Sequence, residues 1–98
     1  MEQLFVYGTL KKASIQKEVL GKEIKGSPDI LDNYTQSKVK IESKTHPIII
    51  KKQSKYIKGL VLLVNKKELE LIDKYETSVY RRRKVILKSK KIVWVYIK

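Results

Sequence analysis

The sequence predicts an α+β fold, a small mixed β-barrel or strongly curled sheet flanked by two short helices. Three observations lead there. About six short runs are apolar or alternate apolar with polar residues, as strands do. Two stretches carry helix start and stop signals. And 98 residues supply one hydrophobic core with little room for a second, so residues 1–98 are expected to form a single domain.

The elements follow in order. Leu4-Phe5-Val6-Tyr7 is a run of aliphatic, β-branched and aromatic residues that reads as a buried strand. Gly8, with its access to positive φ, and Thr9, which can hydrogen-bond its own backbone, turn the chain there. Ser14 is the expected cap of a helix over Ile15 to Leu20, with Gly21 just past its end. Ile15, Val19 and Leu20 give that helix an apolar face, and Gln16 is grouped with the polar remainder. Glu23 to Leu31 is irregular, a strand interrupted at Gly26 and Pro28, and Asp32-Asn33 is a turn signal. Ser37 to Glu42 alternates with period two, and Pro47 to Ile50 is a compact apolar piece with proline at a strand start or edge.

Tyr56 to Val64 is the strongest strand, and Gly59 within it suggests a bulge or the close approach of another backbone or a ligand. Asn65 ends it and caps a second helix, with Glu68 in the reciprocal capping-box position. Leu69, Ile72 and Tyr75 share the face expected to pack on the sheet, leaving Glu68 and Glu70 exposed. Val79 to Lys88 is a strand, Lys88 to Lys91 a turn, and Ile92 to Ile97 the closing hairpin strand.

Composition excludes several classes. The longest apolar run, Leu60 to Val64, is far short of the roughly 20 residues of a membrane-spanning helix. No secretory signal opens the chain, and with Cys 0 there is neither a disulfide framework nor a thiolate metal site. The single His46 cannot build a multi-histidine zinc site. A cytoplasmic protein without metal or cofactor is the expectation. The net charge of +13 raises a polyanion-binding alternative, but only Arg81, Arg82 and Arg83 are arginine and the lysines are dispersed. Such a coat also suits a solvated surface, and its field would draw in a small acidic substrate.

Two motifs carry the functional reading. The first is Phe5-Val6-Tyr7-Gly8-Thr9-Leu10-Lys11, a strand opening into a turn whose outward N–H groups can hold an anion or a developing oxyanion. The second is Leu71-Ile72-Asp73-Lys74-Tyr75-Glu76, followed by Tyr80-Arg81-Arg82. In this order and spacing they resemble the gamma-glutamylcyclotransferase-like family, in particular its AIG2-like and gamma-glutamylamine cyclotransferase branch. The resemblance implies the same mixed barrel and an intramolecular aminolysis. The α-amino group of a small γ-glutamyl amine or γ-glutamyl amino acid attacks its own γ-carbonyl, and 5-oxoproline is released.

From the residues alone, Glu76 is either a solvated helix-end glutamate or a carboxylate turned under the sheet among Tyr75, Val79 and Tyr80. In the second case desolvation raises its pKa toward the range of a neutral-pH base. The resemblance implies that Glu76 is the general acid/base, that Tyr7, Gly8, Thr9 and Leu10 supply mostly backbone donors to the substrate, and that Tyr80 lines the pocket. Asp73 is expected in a structural hydrogen bond and Arg82 in an ion pair first and a substrate contact second.

Three departures stand out. His46 precedes Pro47 where relatives often carry tyrosine, Thr77 follows Glu76 where they often carry glycine, and the sequence ends at Lys98 without a C-terminal lid. The alternative function is a small basic barrel that holds nucleic acid on Arg81 to Arg83, Lys90, Lys91, Trp94 and Tyr96, with phosphate contacts and base stacking. A further alternative keeps the ligand pocket without turnover. No membrane association is expected, and oligomeric state is open.

Overall fold

A computed structural model describes residues 1–97. It contains β1 (Glu2–Val6), a 3-10 turn (Thr9–Lys11), α1 (Ala13–Leu20), β2 (Ser27–Ile41), β3 (Lys44–Val64), α2 (Lys66–Glu76), β4 (Arg81–Ile86) and β5 (Ile92–Ile97). The strands form one curled sheet in the order β2-β3-β1-β5-β4. Neighbours are antiparallel except β1 and β5, which run parallel with Leu4 opposite Trp94. Beyond β4, the Lys88 N–H donates to the Ile30 carbonyl of β2 at 2.8 Å. That bond draws the two outer strands together, and the result is a half-barrel.

Each face of the sheet buries its own cluster. Leu4, Val6, Leu62, Val64 and Tyr96 pack beneath Leu69 and Ile72 of α2 and Ile15 and Val19 of α1. Phe5, Leu31, Ile57, Val61, Val93 and Val95 fill the inside of the curl. Strands covered on both faces read as unbroken apolar runs instead of alternating ones, which is why β1 and β5 were legible. Gly59 is a close-approach glycine and not a bulge: a Cβ there would lie 2.5 Å from the Val6 carbonyl oxygen and 2.7 Å from the Phe5 ring.

The expected turn at Asp32-Asn33 is instead a bulge, and five strands, two of them long (β2 and β3), replace about six short ones. Asn33 takes φ 65 and lies opposite residues 52–55, between the pairs Asp32–Tyr56 and Tyr34–Lys51. Asparagine tolerates the left-handed region, so the chain bends without reversing. Reversal comes later, at Glu42-Ser43, where φ is 49 and 69 and the strands rejoin as Ile41–Lys44. A two-residue hairpin loop of type I′ needs both residues at positive φ.

The helices carry two further corrections. Lys12, not Ser14, occupies the N-cap of α1, and no side chain caps it. Gln16 is buried: its amide donates to the Leu10 carbonyl (2.8 Å) and its oxygen accepts from the Ile24 N–H (2.7 Å). Gly21 ends the helix at φ 77, as expected of a C-terminal glycine. The capping box of α2 is complete, with Asn65 and Glu68 bonded both ways. Glu68 is nevertheless buried, because its carboxylate also pairs with Lys22 at 2.8 Å. Among the described residues, no helix is long and apolar enough to cross a membrane.

Candidate active site

Where β1 ends, the chain enters the 3-10 turn, whose first N–H groups have no partner within it. Gly8 sits at φ −115, so the positive φ expected for it is not used; nothing lies within 4 Å of where its Cβ would stand. The turn opens on a cavity of about 350 Å³. Tyr7, Gly8, Thr9 and Leu10 from the turn, Glu76 from the end of α2 and Tyr80 beyond it all line this space. Residues separated by some seventy positions in sequence thus meet in one pocket.

Hydrogen bonds fix the walls. The Tyr7 hydroxyl donates to the Tyr96 carbonyl at 2.7 Å, which ties β1 to β5. Thr9 Oγ1 and the Tyr75 hydroxyl are 2.7 Å apart, which ties the turn to α2. The Tyr80 hydroxyl donates to the Pro47 carbonyl, bringing the far half of the β2–β3 hairpin, with His46, over the cavity. Tyr75 is the residue the sequence placed differently: it is 38% exposed, and its hydroxyl works at the rim while Leu69 and Ile72 do the packing.

Among the described residues that line the cavity, Glu76 is the only carboxylate and none is lysine or arginine. Burial pushes its carboxyl up to about 7. The phenol of Tyr7 is raised too, by burial first and by the adjacent Glu76 and Tyr80 next. Tyr80 shifts the same way for the same leading reason.

Asp73 and Arg82 stand behind this wall. Arg82 Nε donates to Asp73 Oδ1 at 2.7 Å and its Nη2 to Oδ2 at 3.1 Å, a bidentate pair. The Tyr96 hydroxyl also donates to Oδ1, at 2.5 Å. Asp73 therefore has the structural hydrogen bond expected of it, and Arg82 the ion pair.

Part of the basic face proposed for nucleic acid, Arg82, Trp94 and Tyr96, is already engaged, while Arg81, Arg83, Lys90 and Lys91 are exposed. Tyr96 is 5% exposed, the Trp94 N–H donates to Glu2 at 2.8 Å, and Arg82 and Lys84 lie 4.7 and 4.6 Å from the centre of the Trp94 ring. Neither aromatic offers a bare face for a base to stack upon.

A sequence profile of the family described as gamma-glutamyl cyclotransferase, AIG2-like, matches residues 4–98. The chain belongs to that family. No curated protein sequence matches it. Among solved structures, a solution structure from Arabidopsis thaliana aligns with TM-score 0.77 at 24% identity, over 98% of this chain and 61% of that one. An uncharacterized protein from Homo sapiens aligns with TM-score 0.76 at 18% identity, over 98% and 65%. A protein named gamma-glutamyl cyclotransferase gives TM-score 0.76 at 14% identity, also over 98% and 65%. At these identities the likeness is one of fold, and this family member spans 61% of the first structure's length.

Thr77 shows what its unusual position costs. It caps α2 at φ 65, in the left-handed region that favours glycine and penalises a β-branched side chain. Its Oγ1 accepts from the Val79 N–H at 3.4 Å, a weak bond that offsets little of the strain. Thr77→Gly is expected to stabilise the fold by about 1 kcal/mol, raising the melting temperature in a thermal scan. An unchanged or lower value would mean that the hydroxyl contact outweighs the strained backbone.

Proposed function

We propose that this family member is a cyclotransferase that releases 5-oxoproline from a small γ-glutamyl amine or γ-glutamyl amino acid. The observation that carries the reading is a lone half-buried carboxyl, Glu76, whose pKa is raised to about 7, in a cavity that it shares with the Tyr7 to Leu10 turn.

In this reading the γ-glutamyl unit lies folded in the cavity, its α-nitrogen against its own γ-carbonyl. The Glu76 carboxylate takes a proton from the α-ammonium, freeing the lone pair that forms the new C–N bond. The developing oxyanion and the substrate's α-carboxylate are met by N–H groups of residues 8–10, the donors left open at the start of the turn. As the tetrahedral centre collapses, the old C–N bond breaks and Glu76 returns its proton to the departing nitrogen. The freed carboxylate then takes the second proton from the ring nitrogen, and that proton leaves with the amine as its ammonium form. The products are 5-oxoproline and a free amine or amino acid. Holding both reacting groups of one molecule together supplies much of the acceleration.

A base with a pKa near 7 does this work better than an ordinary glutamate, because it binds the proton well enough to remove it and loosely enough to return it. That the described residues of the wall include no lysine or arginine also matters, since a nearby cation would pull that pKa down.

The test is 5-oxoproline release from a panel of γ-glutamyl amines, amino acids and peptides. For the substrates turned over, kcat/KM is expected to rise with pH through a limb near 7, as Glu76 loses its proton. No release from any member of the panel would sink the proposal. A limb near the ordinary glutamate value of 4.5 would mean that the carboxyl works without the shift that burial implies.

A further inference from the structure

We propose that Asp73 and Arg82 are positioning residues that act on Glu76 as a compensated charge pair, each cancelling the other's field at the Glu76 carboxyl. The inference rests on the cyclotransferase reading of the cavity, but it concerns two residues that do not line that cavity and so would not touch a ligand there.

Geometry supports it at four points. Asp73 lies one helical turn before Glu76 on α2, and its carbonyl accepts the Thr77 N–H at 3.1 Å, so both carboxylates are fixed on one helix end. Arg82 reaches Asp73 from β4 through two hydrogen bonds and rests on the Trp94 ring at 4.7 Å, so it is held from both sides. The pair borders a cleft that shares Thr77, Tyr80 and Tyr96 with the Glu76 cavity, so a single layer of side chains separates the two. Tyr96 belongs to that layer, bonding Asp73 through its hydroxyl and Tyr7 through its carbonyl. Its phenol is raised by burial, by the Asp73 hydrogen bond and charge, and by Glu76, and is lowered by Arg82, which puts all three charges within reach of one oxygen.

An isolated Arg82 beside Glu76 would favour the carboxylate and make it a poorer base. An isolated Asp73 would favour the protonated acid and remove the base at neutral pH. Paired, they hold the helix end without biasing it. The other titratable groups facing Glu76 are Tyr7 just past β1, His46 from β3, Tyr75 on α2, Tyr80 beyond it and Tyr96 from β5, and these stay the same in every comparison below.

The experiment reads the Glu76 carboxyl itself, by carbon-13 NMR titration of glutamate-labelled protein, with the signal assigned by its loss in Glu76→Gln. Asp73→Asn is expected to lower the Glu76 midpoint by about 0.5–1 pH unit and Arg82→Gln to raise it by a similar amount. The double variant is expected to return close to the natural value, and Arg82→Lys, which keeps the charge but loses the bidentate geometry, to stay near it. The acid limb of kcat/KM is expected to move in the same order.

Midpoints that coincide across the series, or that move in one direction for both single variants, would overturn the proposal and leave the pair a purely structural clamp. If Asp73→Asn does not fold, the contrast between Arg82→Gln and Arg82→Lys decides alone. Opposite midpoint shifts without turnover of any γ-glutamyl compound would strike the assigned reaction and leave the charge coupling standing. Turnover without the opposite shifts would do the reverse.

Discussion

Glu76→Gln is expected to abolish 5-oxoproline release and, at the same time, to make the protein more stable above neutral pH. The activity loss should be about 10²–10⁴-fold, because the amide keeps the shape of the carboxyl but cannot carry a proton from one nitrogen to the other. The stability gain follows from the same burial. The folded carboxyl titrates at about 7 and the unfolded one near its ordinary 4.5. Stability from the neutral acid is therefore fully present below the unfolded value and is lost as pH rises through the folded one. At pH 8 the natural protein holds a charge in a half-dry site and the glutamine variant does not. The difference should be on the order of 1–2 kcal/mol once partial exposure is allowed for, and near zero at about pH 4. Melting curves of both proteins at the two pH values check it. Equal melting temperatures at pH 8 would mean that the carboxyl is better solvated than its surroundings imply, and surviving turnover would end its role as the base.

Gly59→Ala is expected to be the most damaging single methyl in the sheet. Its Cβ would enter a space bounded by the Val6 carbonyl oxygen at 2.5 Å and the Phe5 ring at 2.7 and 2.9 Å. The ring can tilt, but the carbonyl belongs to a strand paired on both sides and cannot yield cheaply. Overpacking of this kind costs about 1–3 kcal/mol, so the melting temperature should fall by roughly 5–15 °C in a domain of this size. Phe5 and Val6 also line the candidate cavity, so on the proposed function turnover should fall further than the loss of folded protein accounts for. A melting temperature within a degree of the natural protein would show that β1 can shift away, and that the close approach is not a constraint. Gly8→Ala makes the useful contrast, because nothing crowds that position.

How much of this was legible depended on how local each signal was. The Asn65–Glu68 capping box, Gly21 at the end of α1 and the bounds of β5 all rest on a few adjacent residues, and all were readable. The family motifs brought Tyr7 to Leu10, Glu76 and Tyr80 together on paper, and the fold brings them to one cavity. What stayed hidden was set by distant partners. Gln16 has the look of a surface residue until Leu10 and Ile24 are found on its two amide atoms. Glu68 reads as exposed until Lys22 arrives from the end of the other helix. Asn33 announces a turn but makes a bulge, because the facing strand stays paired on both sides of it. Glu42-Ser43 carries none of the glycine or asparagine that normally marks a two-residue hairpin, so the true reversal left no sign. Tyr96 shares a face of β5 with Trp94 like any strand aromatic, and nothing in that pattern reveals that its two oxygens join Tyr7 to Asp73.

The parallel pairing of β1 with β5 has a consequence for how the molecule comes into being. The β2–β3 hairpin joins residues that are nearer in sequence, whereas Leu4 meets Trp94 only by closing a loop of nearly the whole chain. Contacts of such long range are slow, because the entropy of loop closure is lost before any bond rewards it. The Tyr7–Tyr96 bond lies in that same late seam, and so does the alignment of α2 over it. The hairpin is therefore expected to form early, and the cavity around Glu76 to be among the last things assembled.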